Sequence, residues 1–216
     1  MNVAIIGPQG CGKGTQAQLL ADKSGLDRVE TGKILREIAE TNHPWGKRIK
    51  NMMLKGVLVS DDILLAVLKE TLLKDVNNGF VFDGTPRNLS QYELIKEILK
   101  KKGEKLNVII LLEISEAETV RRISSRRTCS KCGRVYNLVT NPPPAEKVCE
   151  CGGELVHRED DFPEAIIKRL GAYRRSTLKV VDAARREGIL VEVDGERPIE
   201  EIHSDIISKL QILNPK

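Results

Sequence analysis

The segment GPQGCGKGT, residues 7–15, stands between the apolar run NVAII (residues 2–6) and a helical pattern that begins at Lys13. Gly7, Gly12 and Lys13 meet the spacing G-x-x-x-x-G-K of a phosphate-binding loop, and Thr15 falls one place beyond the usual Ser or Thr because Gly14 intervenes. Glycines let successive backbone N–H groups turn inward, and the helix that opens behind them adds the positive end of its dipole. The pattern predicts that Gly10, Cys11, Gly12, Lys13, Gly14 and Thr15 wrap a chain of phosphates. Lys13 then reaches the β- and γ-phosphates, and Thr15 positions a phosphate or the water shell of magnesium. A plain glycine turn is the bland alternative, and the strand before it and the helix after it weigh against that. The loop by itself does not separate a kinase from an ATPase or a switch protein.

The rest of the composition narrows the class. The chain has 216 residues, 40% of them hydrophobic, enough for one sizeable core and a small inserted lobe. Lys and Arg number 35 against 31 Asp and Glu, a net charge of only +4, and aromatics make up 3%. That balance suits an anionic ligand in one cleft better than a nucleic-acid surface, which favours basic stripes and stacking rings. No run approaches the roughly 18 apolar residues of a membrane span, and no charged leader is visible, so a cytoplasmic protein without membrane or nucleic-acid partners is expected. Of the five cysteines, Cys11 lies alone in the glycine loop, while Cys129, Cys132, Cys149 and Cys151 cluster. In a reducing compartment such clustering reads as metal binding rather than a disulfide framework.

Strand and helix patterns alternate along the chain. Strands are expected at residues 2–6, 28–30, 79–84, 107–114 and 189–193. Helices are expected at 13–23, 33–40, 46–54, 61–74 (with Ser60 as N-cap), 91–101, 116–127, 163–186 and 199–210. Several of the strands are almost continuously apolar, which points to an α/β fold with a parallel sheet covered on both faces by helices. Between Arg127 and Arg158 the alternation breaks into an insertion that holds the four cysteines and the PPP of residues 142–144.

The loop, followed by TGKILR (residues 31–36) and by DGTPR (residues 83–87) with Gln91 four places on, resembles the adenylate kinases. The likeness runs from Met1 to about Pro198, and the cysteine-bearing insertion resembles the long-lid, zinc-containing branch found in bacteria. The resemblance implies a core of residues 1–29, 60–124 and 162–216, an AMP-binding helical lobe at 30–59 and a lid at 125–161. It implies MgATP and AMP interconverting with two ADP on a monomer. It gives Arg36 and Arg87 the AMP phosphate, Arg126, Arg158 and Arg169 the transferring group, and Arg122 the adenine of ATP beside Val135 and Tyr136, with Arg197 also on the ATP side. Thr31, Val57, Leu58, Val59, Gly84, Thr85, Pro86, Arg87 and Gln91 face AMP, with Arg158 and Arg169 reaching its phosphate. Asp83 holds magnesium through water, and Asp160 and Asp161 tether the closed lid. Arginine suits such work because its planar fork binds phosphate oxygens in pairs and stays charged. The sequence departs from the usual family pattern at Gln9, Cys11, Glu30, Lys33 and Thr85, none of which removes a charge the chemistry needs. Thr85 makes the AMP-side turn less apolar, and Cys11 reads as a buried, inert thiol, with a reagent-sensitive one as the alternative.

Cys129-x-x-Cys132 and Cys149-x-Cys151 offer four thiolates to a tetrahedral zinc, a staple for a lobe too small to have its own core. The resembling family carries two residues inside the second pair, whereas only Glu150 stands there in this chain. His157 is the substitute fourth ligand, and iron is the alternative metal. His43, His157 and His203 are scattered and imply no catalytic histidine, and Trp45 reads as a packing residue. Two other readings stand beside adenylate kinase: a kinase for UMP or CMP, and a zinc-ribbon nucleic-acid module with an NTPase loop.

Overall fold

The computed structural model describes residues 1–55, 57, 59–72, 79–145, 147–158, 161 and 163–213. The apolar runs form one parallel sheet from β1 (Val3–Ile6), β2 (Asp27–Glu30), β3 (Phe80–Asp83), β4 (Val108–Glu113) and β8 (Leu190–Asp194), in the order β2-β3-β1-β4-β8. β1 pairs with β3 on one side and β4 on the other, so the chain order reverses beside it. Ligands of open α/β sheets bind at such a switch point, beyond the carboxyl ends of the strands, and the glycine loop leaves β1 there.

Alternate residues of these strands serve two cores. Ala4, Ile6, Phe80, Phe82, Ile109 and Leu111 face a layer built from α2 (Thr31–Ala39), α3 (Gly46–Leu54), α4 (Asp61–Leu72), α5 (Leu89–Lys101) and α8 (Leu178–Arg186). Val3, Ile5, Val81, Val108, Ile110 and Leu112 face α1 (Lys13–Ser24) and α9 (Ile199–Leu213). Burial on both faces explains why β1, β3 and β4 read as almost unbroken apolar runs, whereas the edge strands β2 and β8 carry exposed polar residues. Trp45 packs against the first core. Among the described residues no helix is long and apolar enough to cross a membrane.

Among the boundaries that depart from the sequence reading, three have a clear structural cause. α5 starts at Leu89 rather than Gln91, because Asn88 caps it by accepting the Gln91 N–H at 2.8 Å. α6 (Glu116–Ser124) stops before Arg127, because Arg126–Cys129 turns extended as β5. That strand pairs antiparallel with β6 (Val135–Asn137) and β7 (Leu155–Val156), so long-range pairing overrides a local helical pattern. The long helix expected at 163–186 is α7 (Pro163–Ala172) and α8 joined through a π turn, Tyr173–Thr177. The expected end of α4 at residue 74 lies outside the described residues.

The inserted segment makes its own three-stranded sheet, β6-β5-β7. Its apolar cluster is small: Cys129, Tyr136, Cys149 and Leu155. The main sheet is held otherwise. Ile110 is fully buried in a central strand, and Ile110→Ala is expected to lower unfolding stability by about 2–5 kcal/mol in a denaturant titration. Ile167, 70% exposed, is the control, with Ile167→Ala staying within about 0.5 kcal/mol of the parent.

Candidate active site

The loop after β1 takes positive φ at Gly7 (150°), Gly10 (77°) and Gly12 (92°). Gly7 admits no side chain, since a Cβ there would lie 2.3 Å from the Leu112 carbonyl oxygen, and a Cβ on Gly10 would press on Arg122 Cβ at 3.2 Å in a backbone conformation that favours glycine. α1 then begins at Lys13 with no capping side chain and no acidic residue in its first turn, which leaves its dipole end open to an anion. Lys13 Nζ folds back over the loop, donating to the carbonyls of Pro8 (2.6 Å) and Gly7 (3.0 Å) and lying 3.5 Å from Cys11 Sγ. Burial draws the Lys13 ammonium below its ordinary pKa. Cys11 is fully buried, which fits the inert thiol.

At the carboxyl end of β3, Asp83 is 9% exposed and its Oδ2 lies 3.3 Å from where a Cβ on Gly14 would sit. A carboxylate at this distance from the loop suits the oxygen coordination of magnesium. Arg28, on β2, donates from Nη2 to Asp83 Oδ2 at 2.6 Å and approaches Glu30 at 2.9 Å. Glu30 in turn accepts from Arg36 at 3.3 Å. The Thr31 hydroxyl is buried without a protein partner, the condition of a polar group kept for a ligand. Gln91 Oε1 accepts the Arg87 N–H at 2.8 Å and the Thr85 hydroxyl at 3.3 Å, while its Nε2 lies 3.4 Å from Asp61 Oδ1. Arg87 Nε donates to the Gly84 carbonyl at 2.7 Å. The π turn reaches the same place, where the Thr177 hydroxyl donates to the Arg87 carbonyl at 2.9 Å.

The remaining arginines are aimed by carboxylates and carbonyls. Arg122 is 7% exposed and donates to Glu118 Oε1 (2.5 Å) and to the Gly195 carbonyl (2.8 Å). Hydrogen bonds from Arg121 and then Arg122 outweigh burial and hold Glu118 down to about 2. Arg126 grips Asp161 through both Nε, at 2.8 Å, and Nη2. Arg169 approaches the same carboxylate at 3.7 Å. Arg158 Nε donates to the Thr128 hydroxyl on β5 at 2.9 Å. Burial pushes the Tyr173 hydroxyl up to about 12, so it remains a protonated donor at the cleft edge.

The four clustered thiols meet a geometric test for a metal. Their sulfurs all lie within 4.8 Å of one another, with Cys129–Cys151 at 3.4 Å and Cys132–Cys149 at 3.6 Å. A tetrahedron of thiolates at metal–sulfur distances of about 2.3 Å has edges of about 3.8 Å. The shortened second pair is accommodated by a tight turn, in which Gly152 N–H donates to the Cys149 carbonyl at 2.8 Å. A Cβ on Gly153 would sit 2.5 Å from Cys129 Sγ, so the close approach needs a glycine. The Cys132 N–H, with that of Lys131, draws the Cys129 thiol down to about 6, toward the thiolate that binds metal. His157 lies beside Arg127 at 3.4 Å and is not part of the cluster.

A cleft of about 860 Å³ gathers the glycine loop, the β3 end and the lid. It is lined by all of the described nucleotide-site candidates named from sequence except Arg197. Arg197 is paired with Asp205 at 2.5 Å and Asp194 at 3.7 Å instead. Leu58 and Asp160 lie outside the described residues. Tyr136 lines the cleft, but its hydroxyl turns inward to Cys149 Sγ at 3.3 Å. Sequence reasoning missed Arg28, Glu118, Tyr173 and Thr177. Arg28 carries no local signal, since its partner is 55 positions away, whereas the i,i+4 spacing of Glu118 and Arg122 was available to be read.

Comparison with known proteins bears on the same residues. A family model described as adenylate kinase matches residues 5–189. The chain is similar to the adenylate kinase of Archaeoglobus fulgidus, 40% identical over 213 residues that cover 98% of each chain. It is 41% identical to that of Methanothrix thermoacetophila over 216 residues, covering 98% of this chain and all of the relative. It is 39% identical to that of Kosmotoga olearia over 215 residues, covering 99% and 100%.

The Glu118 pair has a pH signature. The folded-state pKa of Glu118, about 2, lies below the ordinary 4.5, so its stabilisation is complete above about pH 4.5 and disappears as pH falls toward 2. Glu118→Gln is expected to lower stability at pH 7 by about 1–3 kcal/mol. Melting the parent and variant across pH should show the difference closing between those two values.

Proposed function

The chain belongs to the adenylate kinase family, and on that premise we propose which of its side chains carry out the reaction. It is a phosphotransferase that moves the terminal phosphoryl group of MgATP to AMP, reversibly, giving two ADP. The observation that supports the assignment of roles is the convergence of glycine loop, β3 end and lid arginines on one cleft. Two polyphosphates brought end to end need alignment, exclusion of water and neutralised charge more than covalent help from the protein.

In this reading Gly10–Thr15 hold the phosphates of ATP, and Lys13 leaves the carbonyls of Gly7 and Pro8 for the β- and γ-oxygens. Arg36 and Arg87 hold the AMP phosphate. Arg126, Arg158 and Arg169 gather around the transferring group, and Arg122 with Val135 and Tyr136 flanks the adenine of ATP. Thr31, Val57, Leu58, Val59 and the turn Gly84, Thr85, Pro86 seat AMP. Gln91 reads its base: with Oε1 engaged by Arg87 N–H and the Thr85 hydroxyl, the amide presents Nε2, a donor. Adenine N1 accepts such a bond, whereas guanine carries a hydrogen there. Asp83 and Thr15 are the residues that would hold magnesium and its water shell. Magnesium, when bound, neutralises charge on the β- and γ-oxygens.

Residues 30–59 and 125–161 are read as lobes that close on the remaining core, carrying Arg36, Arg126 and Arg158 inward and expelling water so that transfer outruns hydrolysis. Cys129, Cys132, Cys149 and Cys151 would hold zinc as a closed, structural site that substitutes for a core in the lid. All the residues assigned to the two nucleotides belong to one chain, so the protein is read as a monomer. Four closely set thiols persist as ligands in a reducing, cytoplasmic compartment.

Two measurements test this reading. ADP formation from MgATP should be rapid with AMP, slow with UMP, CMP or GMP, and near background with no monophosphate. Lys13→Met should cut kcat/KM by about 10²–10³-fold, the loss typical of one stabilising donor. Hydrolysis indifferent to every monophosphate would contradict the second site. For the lid, elemental analysis should find one zinc per chain, and a strong chelator or Cys132→Ser should lower the melting temperature. A metal-free protein with an unaltered melting curve would contradict the zinc assignment.

A further inference from the structure

The Arg28 guanidinium occupies the side of Asp83 that faces the glycine loop. Its Nη2 lies 2.6 Å from Asp83 Oδ2 and 3.2 Å from the point where a Cβ on Gly14 would stand. The same nitrogen is 2.9 Å from Glu30 Oε2. Nη2 donates to Asp83 alone and faces Glu30 as an ion pair, while Nη1 donates to Gln18 Oε1 at 3.0 Å, so neither carboxylate receives the paired fork that makes an Arg–carboxylate bond strong. Arg28 Nε, also buried, has no partner. The pair is thus a close but incomplete one, with a second acceptor within reach of a small side-chain movement.

We propose that Arg28 is a displaceable counter-ion of Asp83: it neutralises this carboxylate before nucleotide arrives, gives way to the magnesium of MgATP, and then rests on Glu30. The inference depends on the reading of Asp83 as the residue that holds magnesium. An uncompensated Asp83 carboxylate beside the loop would repel the phosphates of ATP, and the guanidinium removes that repulsion. The dication carries more charge than the guanidinium and brings it with the substrate, so the exchange is favourable only when metal and triphosphate arrive together. Arg28 is then a positioning residue that sets how much magnesium the site requires.

The test follows the binding of a non-hydrolysable ATP analogue by calorimetry while magnesium is raised from zero. The readout is the magnesium concentration at which affinity has risen half-way. Arg28→Gln is expected to lower this midpoint by about tenfold, the loss of one charge-assisted competitor, while weakening the analogue without metal. Arg28→Lys should fall between the two. Glu30→Gln is expected to move the midpoint the other way, upward, because the displaced guanidinium loses its resting place. A purely structural role would not produce opposite shifts from the two partners of one network. Thermal melting of each variant without nucleotide verifies folding independently. A midpoint that stays put or rises in Arg28→Gln, or that falls in Glu30→Gln, would overturn the proposal. Asp83→Asn separates the two levels: if it leaves the magnesium dependence unchanged, the assignment of Asp83 itself fails.

Discussion

Everything in the cleft answers to one electrostatic constraint: cations that must meet phosphate have to be stored side by side before any phosphate is present. Two unit charges about 4 Å apart repel by about 4 kcal/mol at the effective dielectric near a protein surface. The protein meets this by giving the cations acceptors of its own. Lys13 lies on the carbonyls of Gly7 and Pro8, Arg28 on Asp83, Arg36 on Glu30, Arg122 on Glu118 and the Gly195 carbonyl, and Arg126 and Arg169 on Asp161. These contacts fix where the side chains point, from the two-nitrogen grip of Arg126 on Asp161 to the single 3.3 Å contact of Arg36 with Glu30. The sheet topology makes the arrangement possible, since the strand order reverses at β1 and places the glycine loop beside the Asp83 end of β3.

The lid follows from a different limit. A segment of this size buries too little apolar surface to stay folded alone, and its cluster contains only Cys129, Tyr136, Cys149 and Leu155. Four thiols lie close enough together to hold a metal ion in place of the missing core, while β5 carries Arg126 and Thr128, the latter bonded to Arg158, to the cleft edge. Stability of the lobe and delivery of its arginines are therefore coupled through the same short sheet.

How much of this was legible in the sequence depended on whether partners were close along the chain. The glycine loop, the TGKILR and DGTPR segments and the two cysteine pairs are local patterns, and residues from each line the cleft or gather in the four-thiol cluster. The buried strands were equally plain, because burial on both faces leaves unbroken apolar runs. What escaped was long-range. Arg28 meets Asp83 across 55 positions, Arg122 meets Gly195 across 73, and Thr177 meets Arg87 across 90. Arg126 and Arg127 continue the helical pattern of α6, and only the pairing with Asn137 and Tyr136 of β6 makes them strand. Arg197 pairs with Asp194 and Asp205 and is not among the residues that line the cleft.

The central claim is that one cleft holds two nucleotides phosphate to phosphate. A bisubstrate molecule, two adenosines joined through a single polyphosphate chain, tests it most directly by calorimetry and by competition. The account predicts one molecule bound per chain, displaced by raising either ATP or AMP. Two molecules per chain, or competition with ATP alone, would contradict it.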